Sequence, residues 1–217
     1  MINAVIFDLD GVIIGTAHYH YIAWKRLASE FNINLTIEQN ELLKGVSRLR
    51  SLEIILQLGN VQLSESEKEK LASKKNSWFV EYIESIRPEE IFPGVIELIA
   101  AIRSKGIKVA LASSSKNAPR VIELLKIRNL FDAMVDGTMI AHTKPHPEIF
   151  LLAASLLNTK PSECLVFEDA EAGVEAAIAA GMKCVGVGSP SQLGKANIVI
   201  AKTGDFKIED QLLTSDF

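Results

Sequence analysis

The chain is poor in cysteine. Of 217 residues only Cys164 and Cys184 carry thiols, each inside an apolar run, ECLVF and KCVGV. So placed, they read as core thiols and supply neither a disulfide framework nor metal-ligand spacing. An excess of one charge is also lacking. Against 27 acidic residues stand 23 Lys and Arg, a formal net charge of -4. A nucleic-acid partner calls for a basic excess, so that class is excluded. A small anionic substrate is compatible, because it answers to local charge. There is no membrane-spanning apolar run, and the opening MINAVIFDLD has no basic leader. The expectation is a cytoplasmic chain without a membrane partner. No coiled-coil repeat is present, so a monomer is expected.

What is present is aliphatic. Hydrophobic residues make up 48% of the chain, enough for one good-sized domain or a core with a smaller insert. Short aliphatic runs at 2–7, 108–112, 164–167, 184–187 and 197–200, with a brief candidate at 133–135, read as strands. They mostly do not alternate with polar residues, which fits strands covered on both faces, as in a parallel sheet. Helical patterns at 94–104, 117–126, 147–157 and 171–180 fall between them. This alternation predicts an α/β fold with a largely parallel sheet and helices on both faces.

Residues 16–87 contain no convincing strand. They read as helices over 18–30 and 64–85, with two shorter ones between them broken at Lys44-Gly45. The expected organisation is a Rossmann-like α/β core, 1–15 and 88–217, with an inserted helical cap, 16–87. The expected hinges are 11–15 and 87–94.

In open α/β sheets ligands bind beyond the carboxyl ends of the strands. Four such ends carry polar groups: Asp8 and Asp10; Ser113, Ser114, Ser115, Lys116 and Asn117; Lys144; and Glu168 with Asp169. Each has a bland reading: an acidic pair can be a turn or helix cap, and a serine run is usually a loop. Together they have a chemical logic. Asp8, Glu168 and Asp169 suit a hard divalent cation such as Mg²⁺. Lys144 and Ser113 can compensate a phosphoryl group. A carboxylate attacking phosphorus gives an aspartyl phosphate, with Asp10 placed for acid/base work.

The ordered set DLDGV, Ser113 after VALA, Lys144, and Glu168-Asp169 after LVF resembles the motifs of the haloacid dehalogenase superfamily over nearly the whole chain. The segments YHYIAW, LLKGVSR, Lys75-Asn76, ASSSKN and GVGSPSQLG are similar to a sugar-phosphate mutase branch of it. That resemblance implies interconversion of beta-glucose 1-phosphate and glucose 6-phosphate through an aspartyl-phosphate enzyme and beta-glucose 1,6-bisphosphate. It implies Asp8 as nucleophile and Asp10 as general acid/base. Asp8, Asp10 (through its carbonyl), Glu168 and Asp169 become the Mg²⁺ ligands. Ser113, the Ser114 amide and Lys144 would bind the transferring phosphate. Arg48, Ser115, Lys116 and Asn117 would bind the other one. His20 would support Asp10 from the cap, with Lys75 as a second basic cap residue. Trp24, Gly45, Val46 and Ser47 would line the substrate pocket.

Without that resemblance, Arg48 and Lys75 read as solvated and His20 as an interface histidine. His18 gains no role from it, and His142 and His146 remain loop or helix-start residues. The rival reading is a sugar-phosphate phosphatase that discharges the same intermediate to water. A non-catalytic sugar-phosphate-binding protein is a third reading, at odds with the complete acid set. One departure stands out: Gly15 occupies a position where the superfamily usually has Asp. Thr16 is then expected to take over capping of the following helix.

Overall fold

The computed structural model describes residues 1–208. Six strands form one parallel sheet: β1 (Ala4–Phe7), β2 (Lys108–Ala112), β3 (Ala133–Val135), β4 (Cys164–Glu168), β5 (Lys183–Val187) and β6 (Ile198–Ile200). Their order is β3-β2-β1-β4-β5-β6. The strand runs expected from sequence therefore all join the sheet. The chain builds outward from β1 through β2 and β3, then returns to β1's other side with β4. The switch between halves opens a crevice beyond the carboxyl ends of β1, β2 and β4.

The strands pack on both faces. Val5, Phe7, Leu111, Leu165 and Phe167 face one cluster; Ala4, Ile6, Ala110, Val166 and Cys184 face the other. The two-residue alternation is present, but both sets are apolar, so it is invisible as polarity. Phe7 and Phe167 stack at 4.8 Å across β1 and β4. Both cysteines are buried and free. Helices α5 (Val95–Ser104) and α6 (Ala118–Leu125) contribute to the first cluster, and α7 (Glu148–Leu156) and α8 (Glu171–Ala179) to the second. A short α9 (Pro190–Leu193) precedes β6.

Between β1 and β2 lie α1 (Ala17–Ser29), α2 (Ile37–Glu41), α3 (Arg48–Leu58) and α4 (Glu65–Ile83), which form the helical cap. Trp24, Leu27, Leu35, Leu52, Ile55, Leu56 and Ala72 give these helices a cluster of their own. Reciprocal capping boxes start α2, through Thr36 and Gln39, and α4, through Ser64 and Glu67. The connecting segments run side by side: Ile14 bridges Ile91, and Phe92 N–H donates to the Ile13 carbonyl at 2.9 Å.

Thr16 departs from expectation. It occupies the N-cap of α1, but its backbone is already helical (φ -75°, ψ -10°) and its side chain makes no capping bond. Effective side-chain caps have extended backbone there. The Thr16 hydroxyl is instead buried without a partner. Gly15 is exposed, and a Cβ there would meet only the Phe92 ring at 3.4 Å.

Candidate active site

A cleft of about 450 Å³ lies between the strand ends and the helical insert. Asp8, Asp10, His20, Trp24, Gly45, Val46, Ser47, Arg48 and Lys75 line it, together with Ser113 to Asn117 and Asp169. Of the site residues expected from sequence, only Lys144 and Glu168 are not in its wall. Both are buried next to Asp8.

Asp8 extends the sheet by one rung, its N–H donating to the Phe167 carbonyl at 3.0 Å. Its carboxylate therefore emerges where the ladder ends. Lys144 donates to Asp8 Oδ1 at 2.5 Å and to Glu168 Oε2 at 2.9 Å. Burial works to lower the Lys144 pKa, but the charges of Asp8 and Glu168 outweigh it and hold the ammonium above its ordinary value. The acids show the reverse. Burial, then repulsion from Asp8 and Asp169, pushes Asp10 up to about 8. Burial, then Asp8, raises Asp169 to about 7. Glu168 is raised by burial despite Lys144 beside it.

One ammonium is thus shared among crowded carboxylates. Ligand oxygens of Asp8, Glu168 and Asp169 lie within 4.8 Å of one another. An all-oxygen, strongly anionic donor set fits a hard divalent cation. Two glycines leave room for these carboxylates. A Cβ on Gly11 would lie 2.1 Å from Asp169 Oδ2, and one on Gly173 would lie 2.0 Å from the Glu168 carboxyl carbon. Gly11 also has φ +79°, a left-handed conformation that glycine adopts without strain.

The loop after β2 turns on its own serines. Ser115 N–H donates to Ser113 Oγ, and Asn117 N–H to Ser115 Oγ, both at 3.2 Å. Ser114 Oγ is buried without a partner. Asn117 Nδ2 reaches across the cleft to Asn76 Oδ1 at 2.7 Å. Arg120 also spans core and insert, gripping the Glu84 carboxylate at 2.9 and 2.6 Å.

On the opposite wall, Lys75 Nζ lies 2.7 Å from His20 Nδ1, 4.5 Å from the Trp24 ring centroid and 4.9 Å from that of Phe79. Phe79 also stacks on His20 at 3.9 Å. As an ammonium, Lys75 donates to Nδ1, which leaves the imidazole proton on Nε2. Burial and then the Arg48 charge hold Lys75 well below the usual lysine value. Burial, then Lys75, lowers His20. Arg48 is lowered by burial. Among the described residues, no carboxylate lies within ion-pair distance of Arg48 or Lys75.

Sequence reading did not single out several groups found here. Gly173 interrupts an alanine-rich helix, a signal for close packing. Lys44 approaches Asp169 at 3.7 Å from the insert. Phe79 carried no signal of its own. His142 and His146 lie outside the cleft wall.

The carboxylate-lysine cluster at the strand ends and the helical insert facing it define a phosphoryl-transfer class of fold and site. The chain belongs to the haloacid dehalogenase-like hydrolase family, whose model matches residues 2–181. It is 44% identical over 95% of its length to the beta-phosphoglucomutase of Bacillus subtilis, covering 92% of that protein. It is 34% identical over 83% of its length to a phosphorylated carbohydrates phosphatase of Thermotoga maritima, covering 82% of it. A solved beta-phosphoglucomutase from Clostridium difficile superposes with a TM-score of 0.93 at 45% identity, with 97% of this chain and 95% of that one covered.

Proposed function

We infer that the chain is a phosphotransferase mutase interconverting beta-glucose 1-phosphate and glucose 6-phosphate. One observation carries the reading beyond the family: the cleft offers anion-binding groups at two separate places. Lys144 pairs with Asp8 at the strand ends, with Ser113 and Ser114 just past the end of neighbouring β2, whereas Arg48 lines the cleft from the start of α3 and Asn117, following Lys116, reaches the insert at Asn76. A mutase has to seat a sugar with a phosphate at each end. Arg48 suits that task, because its planar fork can grip a phosphate bidentately.

In this reading the free hydroxyl of the sugar monophosphate attacks the phosphorus of phospho-Asp8, and the bond from phosphorus to the Asp8 carboxylate breaks. Asp10 takes the proton of that hydroxyl. Its raised pKa, about 8, lets it hold a proton near neutral pH. After the resulting beta-glucose 1,6-bisphosphate turns over, Asp8 attacks its other phosphorus. The bond from that phosphorus to the sugar oxygen breaks, and Asp10 returns the proton to that oxygen. Lys144 balances charge on the transferring group. His20, held by Lys75 and Phe79, supports Asp10 from the insert. Asp8, Glu168 and Asp169, with the Asp10 carbonyl, would hold Mg²⁺, which supplies charge neutralisation when bound. Residues 16–87 act as the cap and 1–15 with 88–217 as the core; 209–217 lie outside the described residues. Closure of Arg48 onto the substrate excludes water. The partner is a small phosphorylated sugar, and the chain acts as a monomer in the cytoplasm.

Single turnover tests this. Phosphorylated enzyme mixed with glucose 6-phosphate should yield bisphosphate, and inorganic phosphate instead would indicate the phosphatase. Asp8→Asn should accept no phosphoryl group by intact mass and lose roughly 10⁴-fold or more in turnover with its circular dichroism unchanged. Normal turnover in that variant would refute the nucleophile.

A further inference from the structure

Among the described residues, two clusters have metal-ligand chemistry. One is the acid set above; the other is His142, His146 and Glu148, outside the cleft wall. We propose that this second cluster is a binding site for a borderline divalent transition ion of the zinc, copper or nickel class.

The chain turns between β3 and α7 so that His142 and His146 come together, their ring centroids 4.6 Å apart. Glu148, the first residue of α7, sits against both. Its Oε2 lies 2.9 Å from His142 Nδ1 and 3.9 Å from His146 Nδ1. All three side chains offer a ligand atom within 4.8 Å of the others. Small side-chain adjustments bring such atoms to a single ion.

The carboxylate is already oriented. It accepts the Ala141 N–H at 2.9 Å and the His142 N–H at 2.8 Å, the kind of outer support that fixes a metal-ligating group. His146 Nδ1 accepts the Glu148 N–H at 3.3 Å, so that nitrogen carries a lone pair rather than a proton. Binding would displace the proton shared by His142 Nδ1 and Glu148 to solvent. Two imidazoles and one carboxylate select zinc, copper or nickel over Mg²⁺, which separates this site from the all-oxygen cluster. The exposed rings leave a position for water.

Residues 142, 146 and 148 straddle Lys144, whose ammonium holds Asp8 and Glu168. A bound ion would close a ring around the segment that carries that lysine. The site thus adds a brace outside the reaction centre, whatever sugar phosphate the cleft takes.

The test uses the untagged full chain with excess Mg²⁺ occupying the acid cluster. Zn²⁺ calorimetry should find one equivalent bound at this site in wild type, with affinity lower by about tenfold or more in His142→Ala and in His146→Ala. Cu²⁺ electron paramagnetic resonance should show coupling to two imidazole nitrogens, falling to one in either variant. Slower amide exchange over 141–148 on Zn²⁺ addition supports the brace. Both variants should retain wild-type turnover in Mg²⁺ alone, which verifies their folding. Equal Zn²⁺ stoichiometry and affinity in all three proteins would overturn the site, as would Zn²⁺ binding lost only in Asp169→Asn.

Discussion

Two lysines are buried on facing sides of one cleft, and their surroundings are opposite. Lys144 lies between two carboxylates and holds its proton more tightly than a free lysine. Lys75 lies between two aromatic faces and an imidazole, and holds its proton far less tightly. The core side therefore carries its own counter-charges. The cap side has basic groups, Lys75 and Arg48, that among the described residues have no carboxylate within ion-pair distance and so lack a close counter-charge. An anion entering the cleft supplies it. The difference explains how a site crowded with carboxylates can still attract a sugar carrying phosphate: the attraction comes from the opposite wall.

The largest effect expected from this asymmetry belongs to Lys144→Met. Removing one partner of a buried ionic set leaves the others uncompensated, at a cost of about 3–5 kcal/mol. Urea unfolding of the metal-free protein should show that loss, and wild-type stability would mean the acids do not depend on Lys144. Next comes Arg48→Ala. A charge-assisted phosphate contact contributes about 1.5–3 kcal/mol. Its kcat/KM for bisphosphate-dependent transfer should therefore fall roughly 10- to 100-fold further than for hydrolysis of a small aryl phosphate. Equal losses on both substrates would remove Arg48 from the second phosphate.

Lys75→Met should move stability the other way. Replacing a buried amine that has no carboxylate within ion-pair distance among the described residues with an apolar chain of similar size should stabilise by about 1 kcal/mol or more, while transfer slows. A lower melting temperature in the variant would mean the aromatic faces already satisfy the ammonium. The smallest effect concerns His20. Its pKa is depressed in the folded state from the ordinary 6.5, so only the unfolded chain gains a proton as pH falls through that value. Wild type should then lose about 0.7 kcal/mol relative to His20→Gln between roughly pH 7 and 6. A pH-independent difference would mean that His20 protonates as freely folded as unfolded.

How far the sequence foretold this cleft depended on where each group sits. Short aliphatic runs ending in Asp8, Ser113 and Glu168 placed the strands and their polar ends, because ladder and side chain share one local stretch. Lys144 was legible as a polar group after the brief run at 133–135, whereas Arg48 stood out only through the resemblance of its segment LLKGVSR. The roles of Gly11 and Gly173 were hidden, since what they avoid is a carboxylate from another segment. The stacking of Phe79 under His20 and the meeting of His142 with His146 and Glu148 likewise arise from how the chain turns. Thr16 went astray for a local reason: its residue type suits a cap, but its helical backbone points the hydroxyl into a buried space without a partner.

The mutase reading meets its most direct test in a single assay. Beta-glucose 1-phosphate is supplied with Mg²⁺ and a trace of bisphosphate, and glucose 6-phosphate and inorganic phosphate are followed together. A mutase gives glucose 6-phosphate without matching release of phosphate. Phosphate as the main product would contradict that reading and assign the cleft to hydrolysis.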